Sequence, residues 1–488
     1  MKRERFGSRI GFILVSAGCA IGIGNVWKFP YICGEYGGAA FILIYLAFLL
    51  ILGIPVLVCE FAIGRSSRKS VALSFEELAP PGTRWHRLKY IGIIGCYLLM
   101  MFYTMVGGWM MYYCYKSLRG DFVGASPEQV ADAFGGMLAD LPTMTFWTVL
   151  ICILGFGVCL FGLKSGVERI TKVMMALLLG IMVVLAVHSV FLEGAEEGIR
   201  FYLLPDFGKM VDSGIGNVVF AALSQAFFTL SLGVGAMLIF GSYLDREHRL
   251  VGEAVNITAL DTFVAFMAGF IVIPACFAYG IEPGAGPSLV FITLPNIFSR
   301  MPGGFLWSAL FFLFLTFAAL STIIAVFENI IAFGMDLFGW SRKKSVLVSA
   351  ALIIMLSMPA VLGYNVLSGI QPLGEGSTIM DLEDFIVSNN LLPLGSLGYV
   401  LFCTRKNGWG WERFVEEANA GEGLAFPRGL RAYVAYGIPL IIAFIYLKGY
   451  YDKFQGEGPL VLAGWMAAAV LFLLFVFWCA AGKGREKA

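Results

Sequence analysis

The sequence is short of charged residues and has no surplus of either sign. Only 14% of its 488 residues are Asp, Glu, Lys or Arg, whereas a soluble domain carries about one quarter. The 34 basic residues are nearly equal in number to the 33 acidic residues. No basic surface is therefore expected, and nucleic acid is not a predicted partner. Instead, 59% of the residues are hydrophobic. This balance predicts a protein that crosses the lipid bilayer many times.

Histidine is scarce, and cysteine is absent from long loops. The three histidines are His86, His188 and His248. None lies near the candidate nucleophiles Cys19, Ser231 or Ser321 in the sequence, which argues against an intramembrane enzyme. All ten cysteines fall in or beside apolar segments, so no disulfide framework is predicted. The first apolar run is too long for a signal peptide and lacks a small-residue cleavage site.

Long apolar runs divide the chain into twelve predicted membrane spans, since about 20 helical residues suffice to cross a bilayer. The predicted spans are 9–33, 38–64, 88–116, 143–163, 167–192, 214–243, 250–279, 303–337, 345–364, 381–403, 430–449 and 459–481. Most Lys and Arg residues outside the spans lie on the side of the N-terminus, so both termini are expected to be cytoplasmic. We therefore predict an all-α polytopic protein of the cell membrane.

The first span contains a stretch that suits a plain membrane helix poorly. Residues 16–30 read SAGCAIGIGNVWKFP, and their three glycines weaken the helix in its middle. Asn25 and Lys28 place an amide and a charge at membrane depth, where polar groups are costly. Broken backbone is tolerated there only where it lines a cavity in the protein, and its free carbonyls can hold a cation. The stretch therefore predicts a binding site, whereas the glycines alone would favour a kinked helix with a close packing face.

The sixth span has a second interruption of the same kind. Its centre, residues 225–235, reads QAFFTLSLGVG. Two interrupted helices at matching positions, five spans apart, indicate inverted repeats around a site at the membrane midplane. Glu60, near the end of the second span, is expected either to accept hydrogen bonds from backbone freed in the first span or to lie near the headgroups. Ser321 and Thr322 are adjacent in the eighth span. Hydroxyls in a membrane helix often only donate a hydrogen bond to a preceding carbonyl of the same helix, so this pair alone does not indicate a site.

The sequence GCAIGIGNVWKFPY at 18–31 resembles the first-helix motif of the neurotransmitter:sodium symporter family. The resemblance is strongest at the first, sixth and eighth spans. It implies one transporter domain over 1–488, with a first repeat of five helices at 9–192 and a second at 214–403. The helices at 430–481 would be peripheral, and helices 1 and 6 would be broken.

The resemblance further implies two sodium sites built from hard oxygen ligands, which sodium prefers. The first site would use the Ala20 carbonyl, Asn25, Thr229, Asp261 and the carboxylate of the substrate. The second would use the carbonyls of Gly18, Ile21 and Ala318 with the hydroxyls of Ser321 and Thr322. Sequence spacing alone does not bring these residues together, so both sets depend on the resemblance.

The same resemblance implies a substrate pocket between the broken helices and helices 3 and 8. The carboxylate would be held by Ile23, Gly24 and Tyr103, the amine by Ala20, Phe228, Thr229 and Ser231, and the side chain by Leu99, Val234, Thr322 and Val326. Gly22 stands where monoamine carriers of the family have an aspartate for the amine. The substrate should therefore bring its own carboxylate, and the apolar wall favours a neutral, apolar L-amino acid.

Departures from the family pattern bear on gating and on ions. The outer gate would pair Lys28 with Asp384, and lysine, unlike the arginine of most relatives, cannot form a bidentate fork. The inner gate would pair Arg3 with Asp336. Asp261 replaces an asparagine of the chloride-dependent animal relatives. We expect its carboxylate to balance the sodium charge, so that no chloride is required.

The expected function is sodium-coupled symport of a neutral L-amino acid into the cell by alternating access, with two sodium ions. A carrier of another carboxylated solute, GABA-like or betaine-like, is the alternative within this class. An ion channel would also need polar breaks in its spans, but it would conduct sodium without solute.

Overall fold

The computed structural model describes residues 4–280 and 288–482. Nearly all of these residues lie in helices, and over the described ranges no strand forms beyond two isolated bridges. The helices of the first half are α1 (Arg9–Ala20), α2 (Phe29–Glu35), α3 (Ala39–Phe48), α4 (Ile54–Ser67), α5 (Val71–Leu78), α6 (Lys89–Arg119), α7 (Pro127–Ala139), α8 (Leu141–Leu160), α9 (Arg169–Val190), α10 (Ala195–Leu203) and α11 (Phe207–Asp212).

The second half continues the all-helical pattern. Its helices are α12 (Ile215–Thr229), α13 (Ala236–Ser242), α14 (Leu250–Ala278), α15 (Leu294–Arg300), α16 (Gly304–Phe338), α17 (Arg342–Leu362), α18 (Ile379–Ile386), α19 (Leu392–Thr404), α20 (Trp411–Ala418), α21 (Ile438–Phe454) and α22 (Pro459–Ala480). Wide π-helical turns continue several of them, at Gly24–Lys28, Leu49–Gly53, Leu163–Glu168, Leu289–Thr293, Val387–Leu391 and Tyr433–Gly437.

Ten continuous helical stretches of the described chain are long and apolar enough to cross a membrane. An eleventh is the pair Arg9–Ala20 and Gly24–Glu35, whose halves are bent by 58°. The predicted sixth span is divided into α12 and α13, each shorter than the roughly 20 residues that a crossing needs. The number twelve is therefore not confirmed by helix length, whereas both predicted interruptions are present as breaks.

The centre of the molecule is formed by the two longest helices, α6 and α16, which pack against each other. Small residues allow this close approach. A Cβ at Gly107 of α6 would lie 3.0 Å from the Ile323 side chain of α16. The broken helices lie against this centre, since both α1 and α13 contact α16, and α13 also packs on α4. The predicted binding site is thus surrounded by long, largely buried helices.

The two ends of the molecule carry different segments. We call the end that carries residues 4–8, the loop 244–249 and residues 405–426 the N-terminal face. The end that carries Lys28 and Asp384 is called the opposite face.

Candidate functional site

The break in the first span frees backbone groups, and side chains satisfy two of them. The helix α1 ends at Ala20, and Ile21 takes an extended conformation with φ −70° and ψ 94°. The Gly22 amide donates to Asn25 Oδ1 at 3.2 Å, and the Ile23 amide donates to the Tyr103 hydroxyl at 3.1 Å. The predicted Asn25 and Tyr103 therefore hold the break open in a defined shape.

The break between α12 and α13 lies beside the first one. Ser231 has φ +51°, a left-handed conformation that non-glycine residues rarely adopt. Its hydroxyl donates to the Cys19 carbonyl at 3.3 Å and so joins the two breaks. Glu60 is fully buried and accepts a hydrogen bond from the Gly233 amide. The expectation that Glu60 serves backbone of the first span was therefore wrong, because the break that faces this carboxylate is the second one.

Five oxygen atoms converge where α16 passes the first break. The Ser321 hydroxyl donates to the carbonyls of Gly18 at 3.0 Å and Ala318 at 2.9 Å. The Thr322 hydroxyl lies 3.2 Å from the Gly18 carbonyl and 3.3 Å from the Ile21 carbonyl. A Cβ at Gly18 would lie 3.2 Å from Ser321 Cβ, so only glycine fits without displacement. These are the five oxygens predicted for the second sodium site, and as hard ligands they fit that ion.

The residues of the predicted first sodium site also meet. Asn25 Nδ2 donates to Asp261 Oδ1 at 2.8 Å and to Thr229 Oγ1 at 3.2 Å. The Thr229 hydroxyl donates to Asp261 Oδ2 at 2.8 Å. Asp261 is fully buried on α14. The carboxyl group of Asp261 thus lies beside the first break, hydrogen-bonded to both Asn25 and Thr229.

A small inner cavity of about 40 Å³ lies between the breaks and helices α6 and α16. Nine of the predicted substrate residues line it, namely Ala20, Ile23, Gly24, Leu99, Tyr103, Phe228, Thr229, Ser231 and Thr322. Val234 and Val326 are fully buried and do not belong to this lining. Cys19, Gly22, Asn25 and Leu392 line it in addition. Asn25 is predicted for the first sodium site, Gly22 is the position compared with the monoamine carriers, and Cys19 is next to Ala20, whereas nothing in the sequence indicated Leu392 of α19.

A larger cavity of about 270 Å³ lies between the inner cavity and the opposite face. It shares Tyr103 and Phe228 with the inner cavity, and both Lys28 and Asp384 line it. Lys28 Nζ lies 4.4 Å from the ring centroid of Phe228, and Asp384 accepts from the Ser388 hydroxyl at 2.7 Å. Among the ion pairs of the described residues there is none between Lys28 and Asp384. The predicted outer gate pair therefore faces one cavity without closing it.

The N-terminal face is held together by ion pairs and hydrogen bonds. Arg5 pairs with Asp245 at 3.1 Å, and Arg9 pairs with Glu253 at 2.8 Å. Asp336 accepts from the Ser70 amide at 2.7 Å. Its predicted partner Arg3 lies outside the described residues. The cavity thus lies towards the opposite face, while the N-terminal face is closed.

Three comparisons with known proteins agree with one another. The model of the Sodium:neurotransmitter symporter family matches residues 3–129 and 136–371. An uncharacterized sodium-dependent transporter of Bacillus subtilis (strain 168), YhdH, is 35% identical over 449 residues, which cover 92% of this chain and 98% of that protein. A second uncharacterized sodium-dependent transporter, from Haemophilus influenzae, is 32% identical over 460 residues, with the same coverage of 92% and 98%.

A solved structure gives the same result in three dimensions. The crystal structure of MhsT in complex with L-phenylalanine has a TM-score of 0.81 and 37% sequence identity to this chain. The match covers 91% of this chain and 99% of MhsT. Relatives in this family are transporters and not enzymes. The chain therefore belongs to the sodium:neurotransmitter symporter family and is a sodium-dependent, multi-pass membrane transporter.

Proposed function

We propose that this protein is a symporter that carries a neutral, apolar L-amino acid together with two sodium ions by alternating access. The observation that carries the proposal is the meeting of five oxygens at the first break, where the hydroxyls of Ser321 and Thr322 reach the Gly18 carbonyl. Hydroxyls without a role in binding would donate hydrogen bonds only to preceding carbonyls of their own helix. Here they reach across to another helix, at a point where its backbone is broken.

The other sodium ion, at the first sodium site, would be held by Asn25, Thr229, Asp261 and the Ala20 carbonyl. Its last ligand would be the carboxylate of the substrate, so that substrate and ion would bind together. This arrangement explains coupling, because an amino acid that arrives without sodium would place its carboxylate beside that of Asp261. Like charges in a buried site are strongly unfavourable.

Two features of the inner cavity support an apolar amino acid as the substrate. Gly22 has no side chain that could offer a carboxylate to the amine, and a Cβ there would lie 2.5 Å from the Tyr103 hydroxyl. The wall includes the apolar side chains of Leu99, Phe228 and Leu392. The structure of MhsT with L-phenylalanine comes from a relative of high structural similarity, and this supports the same class of substrate here.

The asymmetry of the two faces supports alternating access. We assign the N-terminal face, with both termini, to the cytoplasm because most basic residues lie on that side. The structure then corresponds to a state with the cytoplasmic side closed and the cavity towards the outside. Rocking of one helical group against another would expose the same site to the cytoplasm. The repeats 9–192 and 214–403 would provide the two symmetric halves, with 430–481 outside them.

The proposal is tested by thermal stability of the purified protein, in sodium and in potassium, with the twenty amino acids, GABA and glycine betaine. A ligand that binds only the folded state adds about 2.7 kcal/mol at 100 times its Kd. We expect stabilisation by neutral, apolar L-amino acids in sodium only. A larger shift with GABA or betaine would instead establish the alternative substrate class. Stabilisation that is equal in potassium, or sodium flux through proteoliposomes without solute, would contradict symport.

A further inference from the structure

The segment between α19 and α21 is an ordered structure packed on the N-terminal face. Its helix α20 buries Trp411 and Phe414, and Phe414 packs on the ring of Phe426 with centroids 5.2 Å apart. The Trp85 indole donates to the Asn407 carbonyl at 2.8 Å, which ties the start of the segment to the helix bundle. The segment therefore has an aromatic cluster of its own and is tied to the bundle at its start.

The same helix carries a buried carboxylate that binds two arginines. The Glu417 side chain is 5% exposed, and Arg65 of α4, whose side chain is fully buried, pairs with it at 2.7 Å. Arg65 also donates to the Glu417 carbonyl and, at 2.7 Å, to the His248 carbonyl. Arg246 donates to Glu417 from two nitrogens, at 3.2 and 2.5 Å. Removing one partner of such a buried pair leaves an uncompensated charge, which is strongly destabilising.

Backbone contacts fix the loop 244–249 to this segment. The Arg249 amide donates to the Glu422 carbonyl, and the Glu422 amide donates to the Glu247 carbonyl, both at 2.9 Å. Gly421 has φ +97°, and a Cβ there would lie 2.6 Å from the Arg246 carbonyl oxygen. Only glycine allows this approach. The loop therefore has little freedom while the segment remains docked.

The other side of this loop holds the N-terminal segment. Asp245 pairs with Arg5 at 3.1 Å and with Arg68 at 3.5 Å. Arg5 lies four residues before the start of α1, the first half of the broken helix. The loop 244–249 thus contacts both the docked segment, through Arg246 and Arg249, and the N-terminal segment, through Asp245.

We propose that α20 is a clamp that keeps the N-terminal face closed, with Glu417 as its positioning residue. Glu417 holds Arg246 and Arg65, so the loop presents Asp245 to Arg5 and α1 remains in place. Loss of the Glu417 charge would free the loop and shift the population towards a state open at the N-terminal face. The proposal rests on the alternating access proposed above, but it does not depend on the identity of the solute.

The test uses a cysteine at position 16 as a reporter of opening. Ser16 of α1 is fully buried, and its hydroxyl has no hydrogen-bond partner among the described residues, so Ser16→Cys preserves the local contacts. The ten native cysteines are buried, and labelling of Cys19, which lines the inner cavity, is distinguished from labelling of residue 16 by its position in the sequence. The full-length protein in proteoliposomes is treated with a thiol reagent in sodium and in potassium. Labelling at residue 16 is followed by mass spectrometry.

Sodium should slow labelling in Ser16→Cys alone. Adding Glu417→Gln should raise the labelling rate in sodium by about fivefold or more, the low end of coupling between sites. The half-saturating sodium concentration should rise with it. Glu416→Gln, which removes the same charge from the exposed neighbouring residue, should change neither quantity. Glu417→Asp should restore slow labelling.

Each contrary result has one meaning. A labelling rate of Ser16→Cys alone that is the same in sodium and in potassium would overturn alternating access and, with it, the clamp. A sodium response that is identical in Glu417→Gln and Glu416→Gln would overturn the clamp alone. If Glu417→Gln does not fold, Arg246→Gln takes its place, because Arg246 is 61% exposed and Arg65 then keeps its partner. An unchanged rate in Arg246→Gln would count against the clamp.

Discussion

The Asn25 amide donates to the Asp261 carboxylate with 2.8 Å between Nδ2 and Oδ1, and so connects the broken first helix to α14. The second carboxylate oxygen accepts from Thr229 at 2.8 Å. Among the described ion pairs, none involves Asp261. Its hydrogen-bond partners among the described residues, Asn25 and Thr229, are neutral. A fully buried carboxylate without a positive partner is costly, and a bound cation would offset that cost. This relationship is the physical basis for expecting one fixed negative charge to serve in place of an anion.

Transport should therefore proceed without chloride. Two sodium ions and a zwitterion would leave excess positive charge in a poorly solvated site, and the Asp261 carboxylate offsets it. We expect uptake in proteoliposomes to be unchanged when gluconate replaces chloride at constant sodium. A large loss of uptake in gluconate would contradict this prediction.

The same argument predicts that a chloride response can be introduced. Ala265 lies one helical turn beyond Asp261 on the same face of α14 and is fully buried. Gln225 resembles a chloride-site residue of the animal relatives, and its side-chain amide is buried without a hydrogen-bond partner among the described residues. In the double variant Asp261→Asn with Ala265→Ser, the carboxylate is lost and a hydroxyl donor is gained. Uptake by this variant should rise with chloride, whereas Ala265→Ser alone should remain insensitive to it.

The sequence was informative where local composition alone decides the structure. The last predicted span, 459–481, is the helix Pro459–Ala480, and the glycine-rich runs in the first and sixth spans are breaks. Contacts between distant segments were accessible only through the family resemblance, as for Ser321 and Gly18, which lie 303 residues apart.

Other contacts were not predictable from residue pattern at all. The two breaks lie side by side, and Glu60 is near both of them. No feature of the sequence indicates which of the two breaks its carboxylate contacts. Leu392 follows the π-helical turn Val387–Leu391 and lines the inner cavity. The direction in which the chain leaves this turn depends on tertiary packing, so the sequence does not predict it. Arg65 and Glu417 are 352 residues apart, and a polar loop between spans gives no indication of such a pair.

Closure of the outer cavity should depend on Asp384. Lys28 and Asp384 line the same cavity without forming an ion pair, so we expect the pair to form only when the cavity closes. Asp384→Asn should reduce the maximal transport rate about tenfold or more, equivalent to about 1.4 kcal/mol. Binding of substrate in sodium, measured by thermal stabilisation, should change much less.

The matched control is Asp452→Asn. Asp452 is another aspartate of the opposite face, paired with Lys448 at 2.6 Å within its own helix. This variant should transport normally. Normal transport by Asp384→Asn as well would show that the pair is not a gate.

The space at Gly22 should be essential for binding. A Cβ at this position would lie 2.5 Å from the Tyr103 hydroxyl and 3.1 Å from the Thr322 hydroxyl, so Gly22→Ala must displace both. We expect a loss of substrate affinity of about tenfold or more, since both residues belong to the site. Gly180→Ala on α9, where a Cβ meets nothing within 4 Å, controls for a glycine change in a helix. Equal affinity of the two variants would contradict the placement of substrate beside Gly22.

Sodium coupling should depend on the hydroxyls of Ser321 and Thr322. The double variant Ser321→Ala with Thr322→Ala removes two of the five oxygens and leaves the three carbonyls of Gly18, Ile21 and Ala318 in place. With fewer hard ligands the site should bind sodium at least about tenfold more weakly, which corresponds to about 1.4 kcal/mol. Sodium-dependent uptake should therefore fall severalfold at sodium concentrations that half-saturate the native protein.

Thr316→Ala supplies the control for this last experiment. The Thr316 hydroxyl lies on the same helix, and among the described residues its one acceptor is the preceding carbonyl of Phe312, at 2.7 Å. Its loss removes a buried hydroxyl without touching the broken first helix, so sodium affinity and uptake should remain at native values. The melting temperature in potassium reports folding of both variants independently of sodium. No other described hydroxyl of α16 reaches the Gly18 carbonyl, so none could replace those of Ser321 and Thr322. Undiminished sodium-dependent uptake in a folded double variant would therefore show that the five oxygens do not form a transport site.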